Sequence, residues 1–119
     1  MSCTNNKVTE LVKQIISSNN VITGNPAKKN DQLEIHYTGT FCNGKVFDSS
    51  ISKGKPFTFT LGIGQVIKGW DQGLVGVQKG GKYRLTIPPN LAYGDRGIGP
   101  IPANSTLIFE VEVLKITYI

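Results

Sequence analysis

Apolar and polar residues alternate with a period of two along three stretches of this chain. Leu33, Ile35 and Tyr37 alternate with Glu34, His36 and Thr38, and Tyr83, Leu85 and Ile87 with Lys82, Arg84 and Thr86. Leu107, Phe109, Val111 and Val113 oppose Ile108, Glu110, Glu112 and Leu114. A strand sends successive side chains to opposite faces, so each stretch predicts a half-buried strand. Asn43-Gly44 follows the first, a strong hairpin signal because both residues tolerate positive φ, and Lys45 to Ser49 reads as the return strand. Phe57, Phe59 and Leu61 alternate with Thr58 and Thr60 after the break at Gly54-Lys55-Pro56.

Between Gln65 and Val77 the spacing changes. Ile67, Trp70, Leu74 and Val77 fall three, seven and ten positions along, the mark of a short helix of two or three turns with one apolar face. Gly69, Gly73 and Gly76 weaken its intrinsic propensity, so packing must hold it, and Gly80-Gly81 closes the segment. Pro88-Pro89 stops the strand before it, and Asn90 to Ser105, rich in glycine and proline, reads as a long ordered loop. At the other end Val8, Leu11/Val12 and Ile15/Ile16 fit a helical stripe that Ser17-Ser18-Asn19-Asn20 breaks, leaving an edge strand or a frayed lead as alternatives. The pattern shows one domain, with no repeat, no linker and no second domain. Its class is α+β: five or six mainly antiparallel strands around one short helix.

Composition supports the strands. Val, Ile and Thr number 32 among 119 residues, against 11 for Ala and Leu. Branched side chains lose freedom in helices and pack well on a pleated surface. No apolar run exceeds three residues, where a membrane span needs about 20, and the first ten residues hold no apolar leader. The expected location is therefore cytoplasmic, the expected state a monomer. Cys3 and Cys42, the only cysteines, are on that ground expected as free thiols. Net charge is +5, but the basic residues are scattered with no recognition motif, so neither a nucleic-acid nor a membrane partner is expected.

Several chemistries fail on residue type. One His and two distant Cys cannot supply a zinc site, and no cofactor motif is complete. Gly76 to Lys82 matches a phosphate-binding loop until Tyr83 replaces the magnesium-binding hydroxyl, and a strand follows where a helix should start. Gly62-Ile63-Gly64 lacks the third glycine of a dinucleotide fingerprint. His36 lies within a strand pattern and reads as a structural or surface histidine. Asn104-Ser105-Thr106 is a glycosylation sequon, expected to be unused in an intracellular chain.

What remains is aromatic. Tyr37, Phe47, Phe57, Phe59, Trp70, Tyr93 and Phe109 come from different elements, and the plain reading of each is core. Trp70, on a glycine-flanked helix, could instead floor a cavity, its indole N–H needing a partner. Asp48 directly follows Phe47 and could cap a turn or stand at a pocket rim.

Six ordered motifs then carry a resemblance: His36-Tyr37-Thr38-Gly39, Phe47-Asp48-Ser49-Ser50, Pro56-Phe57, Val66-Ile67-Lys68-Gly69-Trp70, Ala92-Tyr93-Gly94 and Thr106-Leu107-Ile108-Phe109-Glu110-Val111-Glu112. From Gly24 to Lys115 the chain resembles the FKBP family of peptidyl-prolyl cis-trans isomerases, the tacrolimus- and rapamycin-binding immunophilins that assist protein folding. The resemblance implies a twisted five- to six-stranded antiparallel half-barrel sheet wrapped around one short α-helix over 24–119, after an N-terminal extension, 1–23, that is partly an edge strand. It implies rotamase activity on Xaa-Pro bonds without a cofactor, with proline-containing peptides and macrolide inhibitors as partners. The alternative is a proline-recognising binding module or folding helper with incidental turnover.

The resemblance also implies roles. Trp70 floors the pocket, walled by Tyr37, Phe47, Phe57, Val66, Ile67 and Phe109. The Tyr93 hydroxyl and the Ile67 backbone N–H donate to a carbonyl, Asp48 stands at the rim, and Ile98 and Ile101 come from a flap loop. Of these, Tyr37, Asp48, Ile67, Trp70, Tyr93 and Phe109 are the expected catalytic set. Lys53 stands where the family's archetype pairs an Arg with the rim Asp, and a lysine can answer Asp48 only as a point charge. The flap, Gly97-Ile98-Gly99-Pro100-Ile101-Pro102-Ala103, is one residue shorter than the archetype, with Ile98 near the place of its His and Ala103 for a usual Pro.

Overall fold

The computed structural model describes residues 11–16 and 22–119. Among them six strands form one antiparallel sheet: β1 (Val12–Ile16), β2 (Gln32–Phe41), β3 (Val46–Ser49), β4 (Phe57–Thr60), β5 (Lys82–Ile87) and β6 (Leu107–Thr117). The strand order is β1-β5-β6-β2-β3, with β4 also paired to β2. The six strands fit the five or six that the alternation predicts, and the half-barrel architecture is the one that the resemblance implies. Val12–Ile16 is a strand paired with β5 rather than part of a helix; Val8 and the Ser17–Asn20 break lie outside the described residues.

The two longest strands, β2 and β6, pair along the whole of β2 and carry the core on one face. Leu33, Ile35, Tyr37, Leu107, Phe109, Val111 and Val113 are all buried there, as their alternation requires. Between Glu34 and Ile35 the register shifts: Ile35 faces Val113 and Glu34 faces Lys115. Leu114 is the extra residue of a bulge, which reverses the phase so that Ile116 returns to the core. Strict alternation ends at Leu114 for that reason, while the strand runs on to Thr117.

The helix α1 (Lys68–Gly73) is shorter than its apolar spacing predicts. Ile67 is its N-cap residue and Leu74 its C-cap, so of the four spaced residues only Trp70 lies within it. Leu74 and Val77 are nevertheless fully buried, carried by turns beyond the helix. Glycines at 69, 73 and 76 make continued helix costly, and burial of the same face does not need it. The side-chain carboxylate of Asp71 accepts the N–H groups of Gly62 (2.8 Å) and Gly64 (2.9 Å), which ties the loop after β4 to the helix.

α1 lies very close on β5. A Cβ at Gly69 would stand 2.5 Å from Ile87 Cγ2, so only glycine allows this approach. The result is that Trp70, next in sequence, is pressed into the concave side of the sheet. The long loop after β5 contains a 3-10 turn, Pro89–Leu91, and a tight flap in which Ile98 and Ile101 exchange backbone hydrogen bonds of 2.9 and 2.8 Å. The Asn104 N–H donates to Gly94 O at 2.7 Å and closes the base of the flap.

Cys42 is disulfide-bonded, which corrects the expectation of a free thiol. The chain's other cysteine, Cys3, lies outside the described residues. Pairing requires two Cα atoms within about 4.4–6.8 Å, a proximity that the fold sets and that the spacing of the cysteines along the chain does not reveal.

Candidate active site

The concave face of the sheet holds a cavity of about 380 Å³ between α1, β3, the start of β4 and the flap. Its floor is Trp70, 5% exposed. The rings of Tyr37 and Phe109 meet the indole edge-to-face at 5.1 Å each, and Phe57 does so at 5.9 Å. Edge-to-face contacts of this kind are favourable because a ring's positive rim meets a negative face. Phe47 completes the wall against Phe109 at 5.6 Å. That approach depends on Gly39, where a Cβ would stand 2.7 Å from Phe47 Cζ and 2.8 Å from Phe109 Cε1.

Trp70 Nε1 is buried and, among the described residues, meets no hydrogen-bond acceptor. The partner expected for it from the sequence is absent, and aromatic rings surround it instead. Phe59 packs beneath the indole at 5.6 Å and belongs to the core rather than to the lining.

Polar groups are few and ordered. Tyr37 Oη donates to Asp48 Oδ2 at 2.7 Å, while Lys53 Nζ pairs with Asp48 Oδ1 at 2.9 Å. Each carboxylate oxygen thus has its own partner, so a lysine suffices to complete the orientation that Tyr37 begins. Burial alone raises the Asp48 pKa, but the hydrogen bonds from Lys53 and Tyr37 and the lysine charge outweigh it and hold the carboxyl below its ordinary value. The same carboxylate acts in reverse on the phenols. Burial first, then the hydrogen bond and charge of Asp48, raise the Tyr37 pKa; burial and the Asp48 charge raise that of Tyr93. Both tyrosines therefore stay protonated and able to donate at neutral pH.

The cavity brings together Tyr37, Phe47, Asp48, Phe57, Val66, Ile67, Trp70, Tyr93, Ile98, Ile101 and Phe109. Ile101 is buried under the flap, whereas Ile98 is 58% exposed at its tip. Gln65 also lines the cavity, as do Gly99 and Pro100 of the flap, and none of the three was named as a site residue from the sequence. Gln65 Oε1 accepts the Thr60 N–H at 2.8 Å, a loop contact that leaves no periodic signal. His36 stands away from the lining, with Nδ1 2.8 Å from Ser50 Oγ. Among the described residues no group of three or more His, Cys, Asp or Glu could hold a metal ion.

A concave aromatic cavity with a few fixed donors, carried on an antiparallel half-barrel, defines a class of proteins that act on a bound chain through shape and hydrogen bonds. The family of FKBP-type peptidyl-prolyl cis-trans isomerases matches residues 23–114, and the chain belongs to it. A peptidyl-prolyl cis-trans isomerase of Schizosaccharomyces pombe is 51% identical over 105 residues, covering 87% of this chain and 92% of the relative. FK506-binding protein 2 of Dictyostelium discoideum is 58% identical over 90 residues, 75% of this chain and 68% of its own length. Among solved structures, that of AtFKBP13 is similar with a TM-score of 0.79 and 44% identity, over 88% of this chain and 91% of the other. The chain is accordingly a peptidyl-prolyl cis-trans isomerase.

Proposed function

We propose that the Trp70 cavity accelerates rotation about Xaa-Pro bonds by desolvating the amide and holding its twisted form, and that tacrolimus- and rapamycin-type macrolides bind in the same place. The observation that carries this reading is the pairing of an aromatic floor and walls with donors that have no acceptor of their own. Among the described residues neither the Tyr93 hydroxyl nor the Ile67 N–H donates to any protein group.

The rotation barrier of about 18–20 kcal/mol exists because nitrogen donates into the carbonyl. Water stabilises the planar, charge-separated amide. An apolar cavity removes those bonds, and losing one is worth about 1–3 kcal/mol, or one to two decades in rate. Desolvation alone is too small, so the rest comes from preferential binding of the twisted amide. The ring of proline lies on Trp70 between Tyr37 and Phe109. The Tyr93 hydroxyl and the Ile67 N–H hold the flanking carbonyls, and Asp48, fixed by Tyr37 and Lys53, sets the polarity of the rim. No covalent step is required.

The test is isomerisation of a Leu-Pro-Phe peptide with and without rapamycin. Catalysis abolished by one equivalent of the drug supports one shared cavity. Catalysis that persists with the drug bound overturns the shared site, and rapamycin that does not bind at all overturns the macrolide reading.

A further inference from the structure

The edge of β2 away from β6 is divided between two partners. β4 pairs with it from Gln32 to Ile35, and β3 from Thr38 to Thr40. Tyr37 sits in the gap. In a continued ladder its partner would be Ser50, the residue after the end of β3, and half of that pairing is present: the Ser50 N–H donates to Tyr37 O at 3.0 Å. The other half is not, because the chain turns at Ser50 and its carbonyl accepts the Lys55 N–H at 3.3 Å. The Tyr37 N–H, inside a buried strand, would be left without an acceptor, at a cost comparable to a lost hydrogen bond.

The Ser50 side chain fills that place. Its Oγ accepts the Tyr37 N–H at 2.8 Å, and Ser50 is only 2% exposed. The hydroxyl keeps one proton to donate. His36 Nδ1 lies 2.8 Å away, and Tyr37 O lies at 3.4 Å. Ser50 therefore grips both polar groups of the Tyr37 backbone, and a neighbouring imidazole grips Ser50. From that fixed backbone the Tyr37 side chain reaches Asp48 and packs edge-on against Trp70.

We propose that Ser50 is a positioning residue for the isomerase reaction. By standing in for the missing ladder carbonyl, it holds Tyr37 where its hydroxyl meets Asp48 and its ring meets the floor of the cavity. The inference rests on the reading of Tyr37 and Asp48 as working parts of that cavity.

The experiment is a double-mutant cycle with Ser50→Ala, Tyr37→Phe and the double variant, reading kcat, KM and urea-unfolding midpoint on an Xaa-Pro peptide. Ser50→Ala is expected to lower kcat about tenfold with KM within about twofold, since the cavity's apolar walls remain. In the Tyr37→Phe background the same change is expected to lower kcat by less than about twofold, because its route to the reaction is already gone. Ser50→Cys, close in size but a weak acceptor, guards against loss of folding and is expected to show the same pattern. A folded Ser50→Ala or Ser50→Cys protein with unchanged kcat overturns the proposal. So does an equal loss in both backgrounds, which would mark Ser50 as merely structural. If Tyr37→Phe alone has no effect, the reading of Tyr37 fails and the proposal falls with it; a costly Tyr37→Phe beside a neutral Ser50→Ala sinks the proposal alone.

Discussion

The two tyrosines of the cavity differ in what their hydroxyls already do. Tyr37 Oη is committed to Asp48, whereas Tyr93 has no protein acceptor among the described residues. If Tyr93 holds a carbonyl of the bound chain as proposed, removing its hydroxyl takes away that one bond and breaks none inside the protein among the described residues. Tyr93→Phe is expected to lower kcat/KM about tenfold, the value of one net hydrogen bond near 1.4 kcal/mol, with no change in the urea midpoint. Lys53→Met should do less. The lysine side chain is 63% exposed in its ion pair, and exposed pairs contribute about 0–1 kcal/mol. A fall in kcat/KM of no more than about threefold is expected, because Tyr37 still orients the carboxylate. At this scale the aromatic residues were legible in the sequence because they recur in short ordered motifs. Ser50 stands in one of those motifs, yet its role was not legible there, and Gln65 was passed over. A hydroxyl that replaces a backbone carbonyl, and a carboxamide that caps a loop N–H, depend on where the chain turns, and neither leaves a period or a spacing.

Helix α1 sets two effects against each other. Gly69→Ala would improve helix propensity by about 0.8–1.0 kcal/mol. The added methyl, however, would meet three atoms of Ile87 at 2.5, 2.7 and 2.9 Å. Overpacking a closed core typically costs about 1–3 kcal/mol, so the clash is expected to win, with a net loss of up to about 2 kcal/mol in urea unfolding. Activity should fall as well, since any retreat of the helix from β5 moves Trp70. A variant more stable than the parent would show that propensity rules here. Element boundaries were harder to read than element types for the same physical reason. The helix ends at Gly73 because tertiary burial of Leu74 and Val77 needs no helix, and β6 outruns its alternation because one bulged residue, Leu114, reverses the phase. The pairing of β2 from Ile35 to Gly39 and of β5 from Tyr83 onward shows no register shift, and there the pattern and the structure coincide.

Across the whole molecule, acid stability depends on carboxylates that folding has placed among donors. Asp31 is fully buried, yet it accepts the Lys28 N–H at 3.0 Å and the Ile119 N–H at 3.2 Å, with the Lys28 ammonium at 3.4 Å. Burial raises its pKa, but the two backbone hydrogen bonds and the lysine together outweigh it, and the net shift is downward. Asp48 is shifted in the same direction. A carboxyl whose folded pKa lies below its unfolded value near 3.9 stabilises the fold above that value, and the contribution disappears as pH falls through the folded pKa. Urea-unfolding free energy should therefore be insensitive to these groups from neutral pH down to about 5 and fall steeply below about 4. Asp31→Asn retains an acceptor oxygen but not the titration, so it should start less stable at pH 7 and lose less between pH 5 and 3, a window bracketing the carboxylate range near 3.9. An unchanged slope would remove Asp31 from the account. On the alkaline side the tyrosine shifts run upward, so neither Tyr37 nor Tyr93 ionises before its ordinary value near 10. The kcat/KM profile should accordingly stay level from neutral pH to about 10. A decline centred well below that value would mean that one of these hydroxyls faces a charge the structure does not place beside it.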